Sequence, residues 1–192
     1  MSYGIMPYAV DLEGIRLFGS YGQEFVDETL ARVHPHMLSR LEGPALGDDA
    51  EPQDLIRHLL RGEPMIPGIG QLYGYALEAV CDVHGRSLSN VGWSGMRFGY
   101  FEVVGAALAA IGVDFDPSSL VFGGVPAQLP EIDGFPSIGS LDIDEIESLA
   151  ATFAAANPDL LTDAGIRESV GQIEGWLRHC RRQGNGLVCF YY

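Results

Sequence analysis

Glu78 and Asp82 stand four residues apart in the stretch 71–84 (QLYGYALEAVCDVH), so a helix there sets both carboxylates on one face. If that face lines a cavity, the pair can bind a metal or act as acid and base, one pKa being raised by the other. His84 adds a third group if the helix end turns inward. The plainer role of the pair is a polar stripe facing solvent on an otherwise buried helix. Cys81 and His84 also share a face, as a thiol and a base. No residue nearby supplies a third group to orient the imidazole or a cationic setting for a thiolate. His34-Pro35-His36 presents two imidazoles that can be drawn as metal ligands, but a surface kink at the proline accounts for them more simply.

The second concentration of chemistry is 90–102 (NVGWSGMRFGYFE). Trp93, Arg97 and Tyr100 there can form a recognition surface, with Arg97 gripping a carboxylate or stacking on a ring and Glu102 beside it. A loop carrying Trp and Arg on a scaffold is a usual place for binding. The competing arrangement puts Trp93 and Phe98 in the core and pairs Arg97 with Glu102. The candidate ligand-binding set is therefore Glu78, Asp82, His84, Trp93, Arg97, Tyr100 and Glu102, with no catalytic residue assigned and no metal or cofactor expected.

Familiar catalytic signatures are missing. The chain has no G-x-S-x-G, no G-x-x-x-x-G-K-[ST], no H-E-x-x-H and no EF-hand loop. All 11 Lys+Arg positions are arginine. Without lysine the protein has neither a Schiff-base amine nor a P-loop lysine.

These residues must be held by elements that the apolar spacing predicts. Tyr8, Val10 and Leu12 alternate in a strand over Ile5–Leu12, which Pro7 would place at an edge or a strand start. Val26, Leu30, Val33, Met37 and Leu41 line one helical face, with a break expected near His34 because Pro35 removes a donor. The Gly-, Pro- and Asp-rich run Glu42–Pro52 reads as a loop. Asp54–Arg61 is a short helix, and Gln71–His84 is apolar almost all round, which marks a central buried helix with Gly85 as its C′ residue. Phe101, Val104, Leu108 and Ile111 mark a helix ended by Gly112. Leu120–Phe122 is a strand candidate, and Val125–Gly139, with three prolines, an extended surface segment. Asp142 and Glu145 form a capping box before Ile143, Ile146, Ala150 and Phe153. Ile166, Val170, Ile173, Leu177 and Cys180 define the last helix. The run Leu187–Tyr192 is a buried strand, paired with Ile5–Leu12 or Leu120–Phe122. The expected fold is α+β, about six helices around a small sheet that includes both terminal strands, in a single domain over 1–192.

Net charge is −15, from 26 acids against those 11 arginines. Its distribution is lopsided. No base falls between Arg97 and Arg167, where Glu102, Asp114, Asp116, Glu131, Asp133, Asp142, Asp144, Glu145, Glu147, Asp159 and Asp163 occur. Such a field repels nucleic acid and anionic membrane and attracts cationic partners; it also serves simply as a solvated surface. No apolar run reaches the ~18 residues of a membrane span, and the N-terminus has no basic start followed by an apolar stretch. Cys81, Cys180 and Cys189 are scattered and odd in number, which argues for reduced thiols and a cytoplasmic location.

The opening 1–12 (MSYGIMPYAVDL), Tyr73-Gly74-Tyr75-Ala76-Leu77-Glu78, Trp93 with Met96-Arg97, Phe135-Pro136-Ser137-Ile138-Gly139 and the terminal 186–192 (GLVCFYY) together resemble an uncharacterised family of actinobacterial single-domain proteins. The resemblance spans nearly the whole chain. It implies a layout and supplies no activity. Two classes of function fit. One is a binding or accessory protein, either an acidic, immunity-like or antitoxin-like partner of a cationic protein or a small-molecule binder. The other is a small enzyme with an unfamiliar carboxylate-containing pocket, for example in secondary metabolism.

Overall fold

The computed structural model describes residues 3–47 and 50–192; within the loop expected at Glu42–Pro52, positions 48 and 49 lie outside the described residues, as do positions 1 and 2 of the opening motif. Among the described residues five strands form one antiparallel sheet: β1 (Tyr3–Val10), β2 (Arg86–Ser87), β3 (Ser94–Met96), β4 (Ser137–Leu141) and β5 (Gly186–Tyr191). The order is β2-β1-β5-β4, with β3 also on β1. Both terminal strands are therefore central. Met6 faces Phe190 and Tyr8 faces Val188, while Ile138 of β4 faces Phe190 from the other side.

Nine helices surround the sheet among the described residues, six of them of seven residues or more. They are α1 (Leu12–Arg16), α2 (Gln23–Arg32), α3 (Pro35–Ser39), α4 (Pro52–Arg61), α5 (Gly70–His84), α6 (Tyr100–Ala110), α7 (Ser119–Phe122), α8 (Ile143–Ala155) and α9 (Ala164–Gln183). The pleat of the strands sorts them into two layers. Tyr8 and Val10 of β1 and Val188 and Phe190 of β5 meet α1–α5 on one face. Ile5 and Ala9, with Leu187, Cys189 and Tyr191, meet α6–α9 on the other. Each large apolar side chain so buried contributes roughly 1.5–3 kcal/mol. The α+β class, the six substantial helices and the sheet with both termini agree with the sequence reading.

Pro7 departs from the expectation of an edge. It lies inside β1, opposite Cys189. The reason is visible in the hydrogen bonds. Gly4 exchanges both backbone bonds with Tyr192, so alternate residues of β1 turn their amides toward β5. Pro7 faces the opposite side, where β3 pairs only at Tyr3 and Gly4 and β2 only at Tyr8 and Ala9. Its missing N–H falls just past the end of β2, beside Leu88, whose amide donates to the Pro7 carbonyl at 2.9 Å where the gap between those two short partners begins. Asn90 bridges that gap, its side-chain amide donating to the Ile5 carbonyl at 2.7 Å.

The chain breaks between α2 and α3 as Pro35 requires. Pro35 takes the first helical position and His34 becomes the N-cap, its Nδ1 accepting from the His36 amide at 3.1 Å. The Asp142–Glu145 capping box is formed at the start of α8. Two expectations fail. Leu120–Phe122 is helical, as part of α7, because Asp116 caps the segment from outside: its carboxylate accepts from the Ser118 amide and hydroxyl. The strand lies instead at β4, at the end of the proline-rich segment. Gly139 in β4 leaves room for α7, since a Cβ there would meet the Leu120 carbonyl oxygen at 2.4 Å. Gly85 ends α5 in an extended conformation, φ −111°, and not in the left-handed one of a C′ glycine. A Cβ there would lie 2.3 Å from Val10 Cγ1, so its role is close approach of α5 to β1.

Candidate functional site

Glu78 is the one fully buried acid among the described residues, 1% exposed at the centre of α5. Three elements converge on it. Tyr8 of β1 donates its hydroxyl to Oε1 at 3.2 Å, and Tyr192, just past β5, donates to the same oxygen at 2.8 Å. Arg40, at the end of α3, donates to Oε2 at 2.9 Å and to the Tyr192 hydroxyl at 2.9 Å. The Arg40 guanidinium lies between two rings, 4.3 Å from the centroids of both Tyr75 and Tyr192. Burial pushes the Glu78 carboxyl above the usual carboxylate range, opposed by Arg40 and the two phenols. Burial next to that carboxylate raises both phenols, so Tyr8 and Tyr192 remain donors. Both Glu78 oxygens are engaged, and the cluster ties α3, α5 and the end of β5 to β1.

Asp82, four residues on, is exposed. The structure does not bring it to the Glu78 cluster. His84 stands at the exposed end of α5, its ring stacked on Phe25 at 4.7 Å and 13°, and Phe25 stacks in turn on Tyr21 at 4.1 Å. Thr29 Oγ1 lies 2.8 Å from His84 Nε2 and 2.8 Å from the Phe25 carbonyl. The carbonyl can only accept, so the hydroxyl donates to it and Nε2–H donates to the hydroxyl. Neutral His84 therefore carries its free lone pair on Nδ1, which has no hydrogen-bond partner among the described residues. Burial, with Arg32 nearby, lowers its pKa below the ordinary histidine value and keeps this form at neutral pH. Cys81 is buried and its thiol pKa is raised by burial, the opposite of an activated nucleophile. His84 and Cys81 both line a cavity of about 210 Å³ with Asp11, Gly14 and the aromatic rings of Phe18, Tyr21 and Phe25.

Trp93 and Tyr100 lie on the other side of the sheet. Trp93 is fully buried, its indole N–H donating to the Ser169 carbonyl at 3.0 Å and its ring packed near Trp176. The Tyr100 hydroxyl is 2.8 Å from Ser169 Oγ. Arg97 is exposed and forms no ion pair with Glu102 or any other acid among the described residues. The sheet thus separates Glu78 and His84 from Trp93, Arg97, Tyr100 and Glu102.

Glu102 belongs to a different feature. It sits on α6 at the rim of a groove of about 470 Å³ between that helix and the segment 113–118. Gly105, Ala106 and Ala109 keep the floor low, Phe98, Phe101 and Phe115 make it apolar, and Glu102, Asp114 and Asp116 supply the rim. A second groove of about 510 Å³ continues past Asp114 and Phe115 to Asp144 and Glu145. Asp116 and Glu145 spend their carboxylates on local caps. Glu102, Asp114 and Asp144 have no side-chain hydrogen bond or ion pair among the described residues. Phe98, 60% exposed, and Phe122, 49% exposed, stand 6.0 Å apart beside the first groove. The acidic bias of 98–166 was legible in the sequence; the apolar floor between the acids was not, because α6 and 113–118 meet only in the fold.

Fold and surface together define an antiparallel α+β protein with an acidic, aromatic face and two internally satisfied cores. The chain belongs to the family described as Domain of unknown function (DUF7691), whose model matches residues 1–192. No curated protein and no solved structure matches it. Among the described residues no helix is long and apolar enough to cross a membrane, and no group of three or more His, Cys, Asp or Glu is placed to hold a metal ion.

Proposed function

We propose that this is a binding protein whose acidic face docks a cationic segment of a partner protein, in a reducing, cytoplasmic setting that suits three buried free thiols. The observation that carries the reading is the groove beside α6: an apolar floor rimmed by Glu102, Asp114 and Asp116, with no basic residue in its lining. Such a site fits an amphipathic segment that places an apolar side chain on the floor and arginine or lysine over the rim. Two of the rim acids and Asp144 have no side-chain partner among the described residues, so a partner's cations gain interactions without breaking existing pairs there. Phe98 and Phe122 extend the apolar area available at the edge. An enzyme centred on Glu78 is less well supported, because both its oxygens are held by Arg40, Tyr8 and Tyr192.

The test uses a fluorescein-labelled amphipathic Lys/Leu peptide and the full chain, followed by anisotropy at low and high salt. Each exposed ion pair is worth about 0.2–1 kcal/mol. Neutralising Glu102→Gln, Asp114→Asn and Asp144→Asn together should therefore weaken binding by between about threefold and about a hundredfold and flatten the salt dependence. Unchanged affinity and salt slope, or equal binding of an acidic peptide of the same hydrophobicity, would overturn the reading.

A further inference from the structure

The 210 Å³ cavity on the opposite face of the sheet is built differently from the groove. Val10, Ile15 and Val80 make its floor apolar, and Phe18, Tyr21 and Phe25 wall it with rings. About 150 Å³ of apolar cavity suffices for a benzene ring, so the space holds one ring and a short polar extension. Its strong unpaired polar groups are acceptors. Asp11 uses only Oδ1 internally, to cap α1 through the Glu13 amide at 3.1 Å. Oδ2 lies over Gly14, where a Cβ would approach it to 3.1 Å and the Tyr21 hydroxyl to 3.3 Å. The Tyr21 hydroxyl is itself committed to the Gly14 carbonyl, at 2.8 Å. His84 offers the unpartnered Nδ1. Both free groups, Asp11 Oδ2 and His84 Nδ1, are acceptors; among the described lining residues the one unpaired donor is the weak S–H of Cys81. The nearby cation Arg32 is turned to the Val83 carbonyl and to Glu28.

We propose that this cavity binds a small primary amine carrying one aromatic ring, the ring lying among Phe18, Tyr21 and Phe25 and the ammonium donating to Asp11 and His84. An apolar pocket with a few convergent polar groups is the usual form of a small-ligand site, and two acceptors, one of them charged, select a cationic donor over an acid. The site shares no residue with the acidic groove and does not depend on it.

Phenethylamine is the probe, titrated calorimetrically into the full chain, with phenylacetate and benzyl alcohol as the acidic and neutral counterparts. Phenethylamine should bind at least tenfold more tightly than either. Asp11→Asn keeps the helix cap, since Asn caps as well as Asp, and removes the charge; it should weaken phenethylamine about tenfold or more. His84→Phe keeps the stack on Phe25, removes Nδ1, and should weaken it severalfold. The groove variant with Glu102, Asp114 and Asp144 neutralised should bind phenethylamine as the wild type does. Equal affinity for phenylacetate, no detectable phenethylamine binding at millimolar concentration, unchanged affinity in folded Asp11→Asn or His84→Phe, or loss of binding in the groove variant would each overturn the assignment.

Discussion

Replacing Arg40 by Met tests whether the Glu78 cluster is an ion pair or merely a set of neutral hydrogen bonds. Met keeps an apolar stem between the Tyr75 and Tyr192 rings, with sulfur–aromatic contact in place of the cation–π pair, so the loss falls mainly on the charge. Arg40 is 18% exposed and Glu78 1%. Removing one partner of a buried pair costs about 3–5 kcal/mol. Partial access of water to the Arg40 site argues for the lower end, about 3 kcal/mol at pH 8, still a large share of the ~5–15 kcal/mol of an ordinary domain. The loss should depend on pH. Glu78 already has a folded pKa above its unfolded value, through burial. Arg40 is the chief group opposing that rise, so its removal raises the folded pKa further. A carboxyl raised in the folded state binds its proton there while the unfolded chain has released it, and stability falls as pH rises from the unfolded pKa toward the folded one. Arg40→Met should therefore be least damaging at pH 5 and most damaging at pH 8, the gap growing by about 1.4 kcal/mol for each further unit of pKa rise.

Urea unfolding at the two pH values measures this, followed by circular dichroism and by the fluorescence of Trp93 and Trp176. Both indoles are buried across the sheet from Arg40 and report unfolding without touching the mutation. Glu78→Gln alone strands the Arg40 charge and should also destabilise. The double variant Arg40→Met/Glu78→Gln should be less damaged than the sum of the singles, because Gln still accepts from Tyr8 and Tyr192 and no charge is left unpaired. A pH-independent loss for Arg40→Met, or strict additivity in the cycle, refutes the ion pair.

Gly85→Ala should lower Tm by about 2–12 °C, since the new methyl is forced against Val10 and overpacking costs about 1–3 kcal/mol; Gly175→Ala in α9, where a Cβ meets nothing within 4 Å, serves as the control and should be neutral or stabilising. Unchanged thermal unfolding of Gly85→Ala would mean α5 does not press on β1 as described. The cysteines should be silent toward a thiol reagent at pH 8 in the native protein and all three should react in urea, because burial raises their pKa values, that of Cys180 to about 12; rapid labelling of the native protein would refute that burial.

The six long helices were readable because each carries a long apolar face with a cap or stop at its end, as α8 does between Asp142 and Asn157-Pro158, whereas the short α1 and α7 do not. The strands were harder in proportion to their brevity. β2 has two residues, both exposed, and β4 is interrupted by Gly139, whose missing side chain makes way for the Leu120 carbonyl. Three apolar residues at Leu120–Phe122 satisfy a strand and a helix alike; the deciding signal was the cap upstream, Asp116-Pro117-Ser118. At the candidate site, Glu78 stood out as an acid on a helix apolar nearly all round. Its pairing with Asp82 failed for a geometric reason. Four residues advance a helix by about 400°, leaving the second side chain some 40° off the first. That offset is small; what separates the two is position along the axis, since the exposed residues of α5, Asp82 and His84, both lie in its last turn while Glu78 lies mid-helix under Tyr8, Arg40 and Tyr192. The true partners, Tyr8, Arg40 and Tyr192, lie 70, 38 and 114 residues away in the chain. Tyr8 and Tyr192 meet Glu78 through strand register and Arg40 through the packing of α3 on α5, neither of which local spacing carries. The same pleat that turns Tyr8 toward Glu78 turns Ile5 and Ala9 toward the layer of Trp93. Two groups of residues that look adjacent in the sequence between 78 and 102 are thereby held on opposite faces of one sheet, and whatever each binds, it binds separately.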